Sequence, residues 1–74
     1  MSEVQFGTEI RRRRESRGWT QEQFATRADL SVRFVQSLES GAKMPSLESL
    51  FKISLAFGTS PGILLEPMWR DWRE

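Results

Sequence analysis

The sequence predicts an all-α domain of five short helices, and three observations support this. Apolar residues recur at spacings of three and four, which is the period of an amphipathic helix. Residues suited to cap a helix precede the second to fifth segments, and glycines follow three of the expected helix ends. No stretch alternates apolar and polar residues as a half-buried strand would. The capping residues are Thr20, Ser31, Ser46 and Ser60, and the glycines are Gly18, Gly41 and Gly58.

The first helix is expected to begin at Phe6, since residues 1–5 lack periodicity and should form a flexible arm. Gly18 ends this helix, because glycine readily adopts the left-handed conformation found after helix ends. One stripe of the helix comprises Phe6, Ile10, Arg14 and Arg17.

The second helix follows Thr20, and Gln23 stands at the spacing of a capping box. Asp29 and Leu30 form a tight turn, after which Ser31 caps a third helix that runs to about residue 40. The apolar residues of these two helices are Phe24, Ala25, Ala28, Phe34, Val35 and Leu38. The remaining residues of the third helix are mostly polar, so this helix should bury one face and expose the other.

Ser46 caps the fourth helix, which is expected to run to about Phe57. Pro61 at a first helical position opens a fifth, short helix, and Glu66–Pro67 should end it near Leu65, leaving residues 66–74 as a tail. The core side of the fourth helix is expected to comprise Leu47, Leu50, Phe51, Ser54 and Phe57.

Composition excludes several classes of function. The chain has 74 residues, no Cys and no His, so disulfides, thiolate or histidine metal sites and His-based catalysis are excluded, and no cofactor or metal is expected. There is no apolar run long enough to span a membrane and no signal-peptide pattern, which indicates a cytoplasmic protein. The net charge is only +1, so any nucleic-acid contact requires locally concentrated charge.

Residues 6–65 resemble the Cro/phage-repressor type of helix-turn-helix domain, also called the xenobiotic-response-element family. The resemblance lies in Thr-Gln-Glu-Gln-Phe-Ala at 20–25, Val-Gln-Ser-Leu-Glu-Ser-Gly at 35–41 and Pro-Ser-Leu at 45–47. It implies a lambda-repressor-like DNA-binding domain with the helix-turn-helix at helices two and three. Small members of this type include phage Cro-like regulators and restriction–modification controller proteins. Asp29 replaces the usual glycine of the turn, and Asp tolerates the left-handed conformation.

The resemblance also implies roles for matching positions. Base contacts are expected from Val32, Arg33, Gln36 and Ser37, and phosphate contacts from Thr20, Gln21, Ser40 and Lys43. Arg14 and Glu39 match a pair that forms a salt bridge between helices one and three. The basic run at residues 11–14 spans a full helical turn and is better explained as a solvated face than as a nucleic-acid patch.

Each DNA contact has a structural alternative. The planar fork of Arg33 can donate twice to guanine, yet an exposed Arg on a helix needs no partner. Val32 can meet a thymine methyl or cover the edge of the core. Gln21 is suited to phosphate at a helix N-terminus, or is an ordinary first-turn residue. Lys43 is equally consistent with a phosphate contact and with a mobile loop lysine.

Leu55, Ile63, Trp69 and Trp72 exceed what one small core needs. Exposed together they would form a patch typical of an interface, so a homodimer through helices four and five is expected. The tail either contributes to that interface or packs its Trp residues on its own monomer.

The leading hypothesis is a sequence-specific transcriptional regulator that binds palindromic half-sites of double-stranded DNA as a homodimer. The alternative is an antitoxin-like or other protein-interaction subunit. An enzyme is not expected, because no catalytic carboxylate pair or Gly-rich phosphate loop is found. Neither a membrane nor a small-molecule effector is expected as a partner.

Overall fold

The computed structural model describes residues 2–73 as five α-helices with short connections. They are α1 (Ser2–Ser16), α2 (Gln21–Ala28), α3 (Val32–Glu39), α4 (Leu47–Phe57) and α5 (Pro61–Arg73). No strand occurs within these described residues, so the all-α prediction is confirmed. None of the five helices is long and apolar enough to cross a membrane.

The starts of α2, α3 and α4 are set by hydroxyl caps. The Thr20 hydroxyl accepts from the backbone N–H of Gln23 at 3.1 Å, and the Gln23 side chain accepts from the Thr20 N–H at 2.8 Å. The hydroxyls of Ser31 and Ser46 accept from the N–H three residues further on, at 3.0 and 3.2 Å. Each such cap stabilises its helix by about 1 kcal/mol. The Ser60 hydroxyl likewise accepts from the N–H three residues further on, at 3.2 Å, at the start of α5, so all four predicted caps are confirmed.

A single apolar core joins all five helices. α1 packs against α3 and α5, and α2 packs against α3 and α4. The rings of Phe24 and Phe57 stack with centroids 4.8 Å apart, and Trp19 stacks on Phe57 at 5.9 Å. The core consists of Phe6, Ile10, Phe24, Ala25, Ala28, Val35, Leu38, Leu50, Ile53, Phe57, Leu64 and Met68.

The flexible arm predicted for residues 1–5 is wrong for residues 2–5, which are helical from the start of α1. Met1 lies outside the described residues. The side-chain amide of Gln5 donates to the carboxylate of Asp71 on α5, and Phe6 is fully buried directly after it. These tertiary contacts order a segment whose own sequence has no helical periodicity.

The predicted end of the fifth helix is also wrong, because α5 continues through Pro67 to Arg73. Proline within a helix removes one backbone hydrogen bond and costs about 3 kcal/mol. Burial of Leu64 and Met68 on either side of Pro67, together with the Gln5–Asp71 hydrogen bond, opposes that cost. The tail expected at residues 66–74 is therefore helical as far as residue 73.

The buried side of α4 is rotated from the predicted one. Leu47 and Phe51, which were expected in the core, are exposed, and Ile53 is fully buried instead. The buried stripe comprises Ser49, Leu50, Ile53, Ser54 and Phe57. Because α4 is apolar over much of its circumference, periodicity alone did not distinguish its two candidate faces.

Candidate nucleic-acid interface

The turn between α2 and α3 positions the third helix. Asp29 adopts the left-handed conformation with φ 55° and ψ 48°, as its replacement of glycine predicted. The N–H of Leu30 then donates to the carbonyl of Ala25 at 2.9 Å, which closes the end of α2. Ser31 immediately caps α3. Two helices joined so closely form the helix-turn-helix arrangement.

The outward side of α3 carries the four residues predicted to contact bases, and we call it the reading face: Val32, Arg33, Gln36 and Ser37. Arg33 and Gln36 are exposed, whereas Val32 and Ser37 are half-buried. Val32 packs against the edge of the core, so only part of its surface remains accessible to a ligand. The Arg33 guanidinium has no hydrogen bond or ion pair with any residue between 2 and 73 and is available to a partner.

The four predicted phosphate-contacting residues differ in whether their polar groups already make hydrogen bonds within the protein. Lys43 is exposed, and its ammonium group makes no ion pair in the described chain. The Thr20 hydroxyl accepts the cap hydrogen bond but keeps its own proton to donate. The Ser40 hydroxyl already donates to the carbonyl of Ser37 at 3.1 Å. Gln21 is half-buried and bonded to Glu39. Lys43 and Thr20 are therefore better disposed to donate to a phosphate than Ser40 is.

A buried ion pair lies behind the reading face. The side chain of Glu39 is only 1% exposed, and it accepts from Arg14 Nε at 2.6 Å and from Arg14 Nη2 at 3.0 Å. The same guanidinium donates to the carbonyl of Trp19 at 2.8 Å. Bidentate Arg–carboxylate pairs are among the stronger polar contacts. This pair, which the resemblance implied, ties α3 to α1 and keeps α3 in one orientation.

Two buried carboxylates, Glu9 on α1 and Glu39 on α3, have pKa values below their ordinary range. Burial alone would raise the pKa of Glu39, but hydrogen bonds from Arg14 and Gln21 outweigh it and the pKa is lowered. The pKa of Glu9 is lowered for the same reason, since hydrogen bonds from two arginines of α1 exceed the effect of burial. The hydrogen bond to Glu39 raises the pKa of Arg14.

Acidification should therefore destabilise the domain. A carboxylate with a lowered folded-state pKa stabilises fully above its unfolded value, about 4.3 for Glu. That stabilisation disappears as the pH falls through the folded-state pKa. We expect the free energy of unfolding, measured by urea denaturation, to be flat near neutral pH and to fall below about pH 4.3. Glu9→Gln should reduce this acid-dependent loss, and an unchanged pH profile would contradict the assignment.

Arg11, which the sequence analysis assigned to a solvated face, lies near the candidate interface. It is 53% exposed, and its Nε lies 3.4 Å from Oε1 of Glu39. Gln21 donates to the same oxygen, so Arg11 adds a second cation close to the start of α2. Its position three residues before Arg14, on the same side of α1, was the available signal.

Large apolar side chains that are exposed or half-buried lie along α4 and α5. We call these residues together the α4–α5 apolar face: Leu47, Phe51, Leu55, Leu65, Trp69 and Trp72. Its residues recur every four positions on α4, and at spacings of three and four on α5, so each helix contributes one stripe. One groove is lined by Phe51, Leu55 and Pro61 among others, and another by Met44, Leu65 and Trp69 among others. Leu55 is 82% exposed and Trp72 is 76% exposed.

Ile63 does not belong to this surface, although the sequence grouped it with Leu55, Trp69 and Trp72. It is exposed, but it lies two residues before Leu65 on α5. Successive helical residues are rotated by about 100°, which places these two side chains nearly opposite each other. Ile63 is therefore a suitable control position for substitutions in the α4–α5 apolar face, because it lies on the other side of α5.

Comparisons with known proteins agree with this geometry. The helix-turn-helix family model matches residues 10–64. An uncharacterized HTH-type transcriptional regulator of Sinorhizobium fredii, y4dJ, is 33% identical over 61 residues, covering 82% of this chain and 79% of the relative. The restriction-modification controller protein C.AhdI from Aeromonas hydrophila is similar in structure, with a TM-score of 0.79 and 31% identity over 84% of this chain and 94% of the other.

The competence regulator ComR from Streptococcus vestibularis gives a TM-score of 0.82 at 30% identity. The match covers 89% of this chain but only 22% of ComR, so it concerns one part of that protein. The family model includes both helices of the motif and the turn between them. The resemblance identified from the sequence is thereby confirmed, and this family is one of DNA-binding regulators rather than of enzymes. The chain belongs to the helix-turn-helix family of DNA-binding transcriptional regulators.

Proposed function

We propose that the protein is a sequence-specific regulator that inserts α3 into the major groove of double-stranded DNA. The observation that carries this proposal is the reading face itself. Arg33 and Gln36 project from a helix whose opposite side is buried through Val35, Leu38 and Glu39. A helix held in this way presents its outward side chains at a defined angle, as recognition helices do.

Phosphate contacts would supply affinity around that helix. The net charge of the chain is only +1. Electrostatic attraction to the duplex therefore depends on where the positively charged side chains are located. Arg33, Lys43 and the partly exposed Arg11 are candidates for this local positive charge, and the hydroxyl of Thr20 can donate to a phosphate. Such contacts set orientation on the duplex, while the reading face supplies sequence preference.

Arg33→Ala should weaken binding to the preferred duplex by roughly 1–3 kcal/mol, because a bidentate contact to guanine is lost. The loss on random-sequence DNA should be smaller, and the melting temperature should stay close to that of the wild type because Arg33 is exposed. Fluorescence anisotropy with both duplexes measures this difference.

Arg70→Ala is the matched control for Arg33→Ala. It removes the same charge from α5, where Arg70 pairs with Glu66 at 3.1 Å on the helix surface. If both variants lost the same amount of affinity for the preferred duplex, Arg33 would contribute only its charge. The proposal that the reading face recognises bases would then fail.

We further propose that the regulator acts as a homodimer on palindromic half-sites. The α4–α5 apolar face supports this, because the stripes of large apolar side chains on these two helices are mostly exposed in the monomer. Contiguous apolar patches of this kind mark interaction surfaces, and two-fold dimers are the commonest oligomers. A two-fold pair of recognition helices about 34 Å apart would fit half-sites separated by one turn of DNA.

Leu55→Lys combined with Trp69→Lys should convert the dimer to a monomer without unfolding it, since both side chains are exposed. A charge buried at an interface without a partner strongly disfavours association. Sedimentation equilibrium at high micromolar concentration measures the mass. Ile63→Lys, on the other side of α5, should leave the dimer intact, and a wild-type protein that sediments as a monomer would refute the dimer.

A further inference from the structure

Two glutamine side chains connect the buried carboxylate of Glu39 to the reading face. Oε1 of Glu39 accepts from Nε2 of Gln21 at 3.2 Å. Oε1 of Gln21 in turn accepts from Nε2 of Gln36 at 3.4 Å. We call Glu39, Gln21 and Gln36 the amide relay. It brings together one residue of α2 and two residues of α3, which are three positions apart.

The ionised carboxylate of Glu39 determines how the two glutamine amides are oriented. Glu39 is paired with Arg14 and its pKa is lowered, so near neutral pH it is ionised and can only accept hydrogen bonds. Gln21 must then turn its amide nitrogen toward Glu39 and its carbonyl oxygen away. That oxygen is an acceptor, so Gln36 must turn its nitrogen toward Gln21. Neither amide is free to flip without losing a hydrogen bond.

Two groups of Gln36 remain without a partner in the described chain: its carbonyl oxygen and its second N–H. Together they form an acceptor and a donor side by side on an exposed side chain. Adenine presents the complementary pair in the major groove, an N6 donor and an N7 acceptor. Guanine presents two acceptors there, and its O6 would face the glutamine oxygen unfavourably.

We propose that Gln36 reads adenine in the major groove, and that Gln21 and Glu39 act as positioning residues that hold its amide in the adenine-reading orientation. An unrestrained glutamine amide can flip and offer donors to guanine instead. The hydrogen bonds of the amide relay prevent this flip of the Gln36 amide. This inference rests on the proposed function and deepens it, because it assigns a base to one side chain of the reading face.

The experiment first selects bound sequences from a random duplex library with the wild-type protein. Competition binding then compares the selected duplex with variants substituted at each base pair. Adenine should be preferred over guanine at one position in each half-site by about 5- to 150-fold. Gln36→Ala should abolish the preference at that position and leave preferences at the other positions intact.

Gln21→Met tests the relay, because it keeps Gln36 but removes its hydrogen-bond partner. The adenine preference should fall by about 2- to 10-fold, the range for loss of one hydrogen bond. Lys43→Ala is the control, since loss of a phosphate contact alone should weaken all duplexes equally and leave the ratio unchanged. Melting curves of each variant verify that the domain is folded.

Three results would overturn the inference. A selection profile unchanged by Gln36→Ala would remove Gln36 as a reader while leaving the proposed function in place. A Gln21→Met variant that weakens every duplex by one factor would remove the relay and leave Gln21 as a phosphate contact only. A wild-type protein that selects no sequence would overturn both the inference and the proposed function.

Discussion

Gly7→Ala should destabilise the domain by about 3 kcal/mol, at the upper end of the range for overpacking a close contact. A Cβ at Gly7 would lie 2.4 Å from the carbonyl oxygen of Leu38 and 2.8 Å from that of Glu39. Both neighbours are backbone atoms of α3, so no side-chain rotation relieves the clash. α1 would have to move away from α3.

Helix propensity acts in the opposite direction at this position. Alanine is favoured over glycine within a helix by roughly 0.5–1 kcal/mol, which the clash should exceed. For a domain of this size a loss of about 3 kcal/mol corresponds to a fall in melting temperature of about 12 °C or more. Thermal denaturation followed by circular dichroism measures this fall.

Gly62→Ala is the matched control for Gly7→Ala, because both glycines are helical. The nearest atom to a Cβ at Gly62 is the Ser60 hydroxyl oxygen at 3.9 Å, an ordinary contact distance. This substitution should leave the melting temperature unchanged or raise it slightly. Similar effects of the two substitutions would contradict a close α1–α3 approach at Gly7.

Glu39→Ala should cost about 3–5 kcal/mol of stability, the range for removing one partner of a buried ion pair. Arg14 would remain largely buried, with its guanidinium facing an apolar side chain in place of the carboxylate. The substitution also removes the acceptor of Gln21. Chemical denaturation measures the loss in the free energy of unfolding.

Glu15→Ala is the control for Glu39→Ala. Its carboxylate lies 3.9 Å from Arg14 but is well exposed, and exposed ion pairs contribute about 0–1 kcal/mol. A free energy of unfolding that is unchanged by Glu39→Ala would show that the buried pair does not hold α1 and α3 together.

Local signals in the sequence were sufficient for much of the fold. The hydroxyl caps at Thr20, Ser31 and Ser46 and the left-handed turn at Asp29 are each determined by a few adjacent residues. Hydrogen bonds within one turn of helix depend little on the rest of the chain. These features were therefore predictable from spacing and residue type.

The errors arose where distant contacts override local preference. Pro67 remains inside α5 because Leu64 and Met68 are buried on either side of it, and residues 2–5 are helical although they lack an apolar stripe. The close approach at Gly7 depends on the backbone of α3, more than 30 residues away in sequence. Leu64 and Met68 are spaced as in a helix, but the helix-breaking tendency of Pro67 outweighed that spacing in the prediction.

The candidate site divides in the same way. The reading face followed from a resemblance in motif spacing, and its exposed members lie on the outward side of α3. The amide relay joins residues 15 and 18 positions apart, and both bonds depend on how α2 crosses α3. Arg11 joins Glu39 across 28 positions. Motif spacing does not predict the two glutamine hydrogen bonds, and the only signal for Arg11 is its position three residues before Arg14.

A binding experiment on the wild-type protein shows whether the exposed side of α3 reads DNA sequence. The affinity of the wild-type protein is determined for a selected duplex and for a random-sequence duplex at two salt concentrations. We expect a preference for the selected duplex of about 10³ or more and a steep loss of affinity at higher salt. Weak, equal affinity for both duplexes with no salt dependence would contradict this expectation, and would favour a protein-interaction subunit instead.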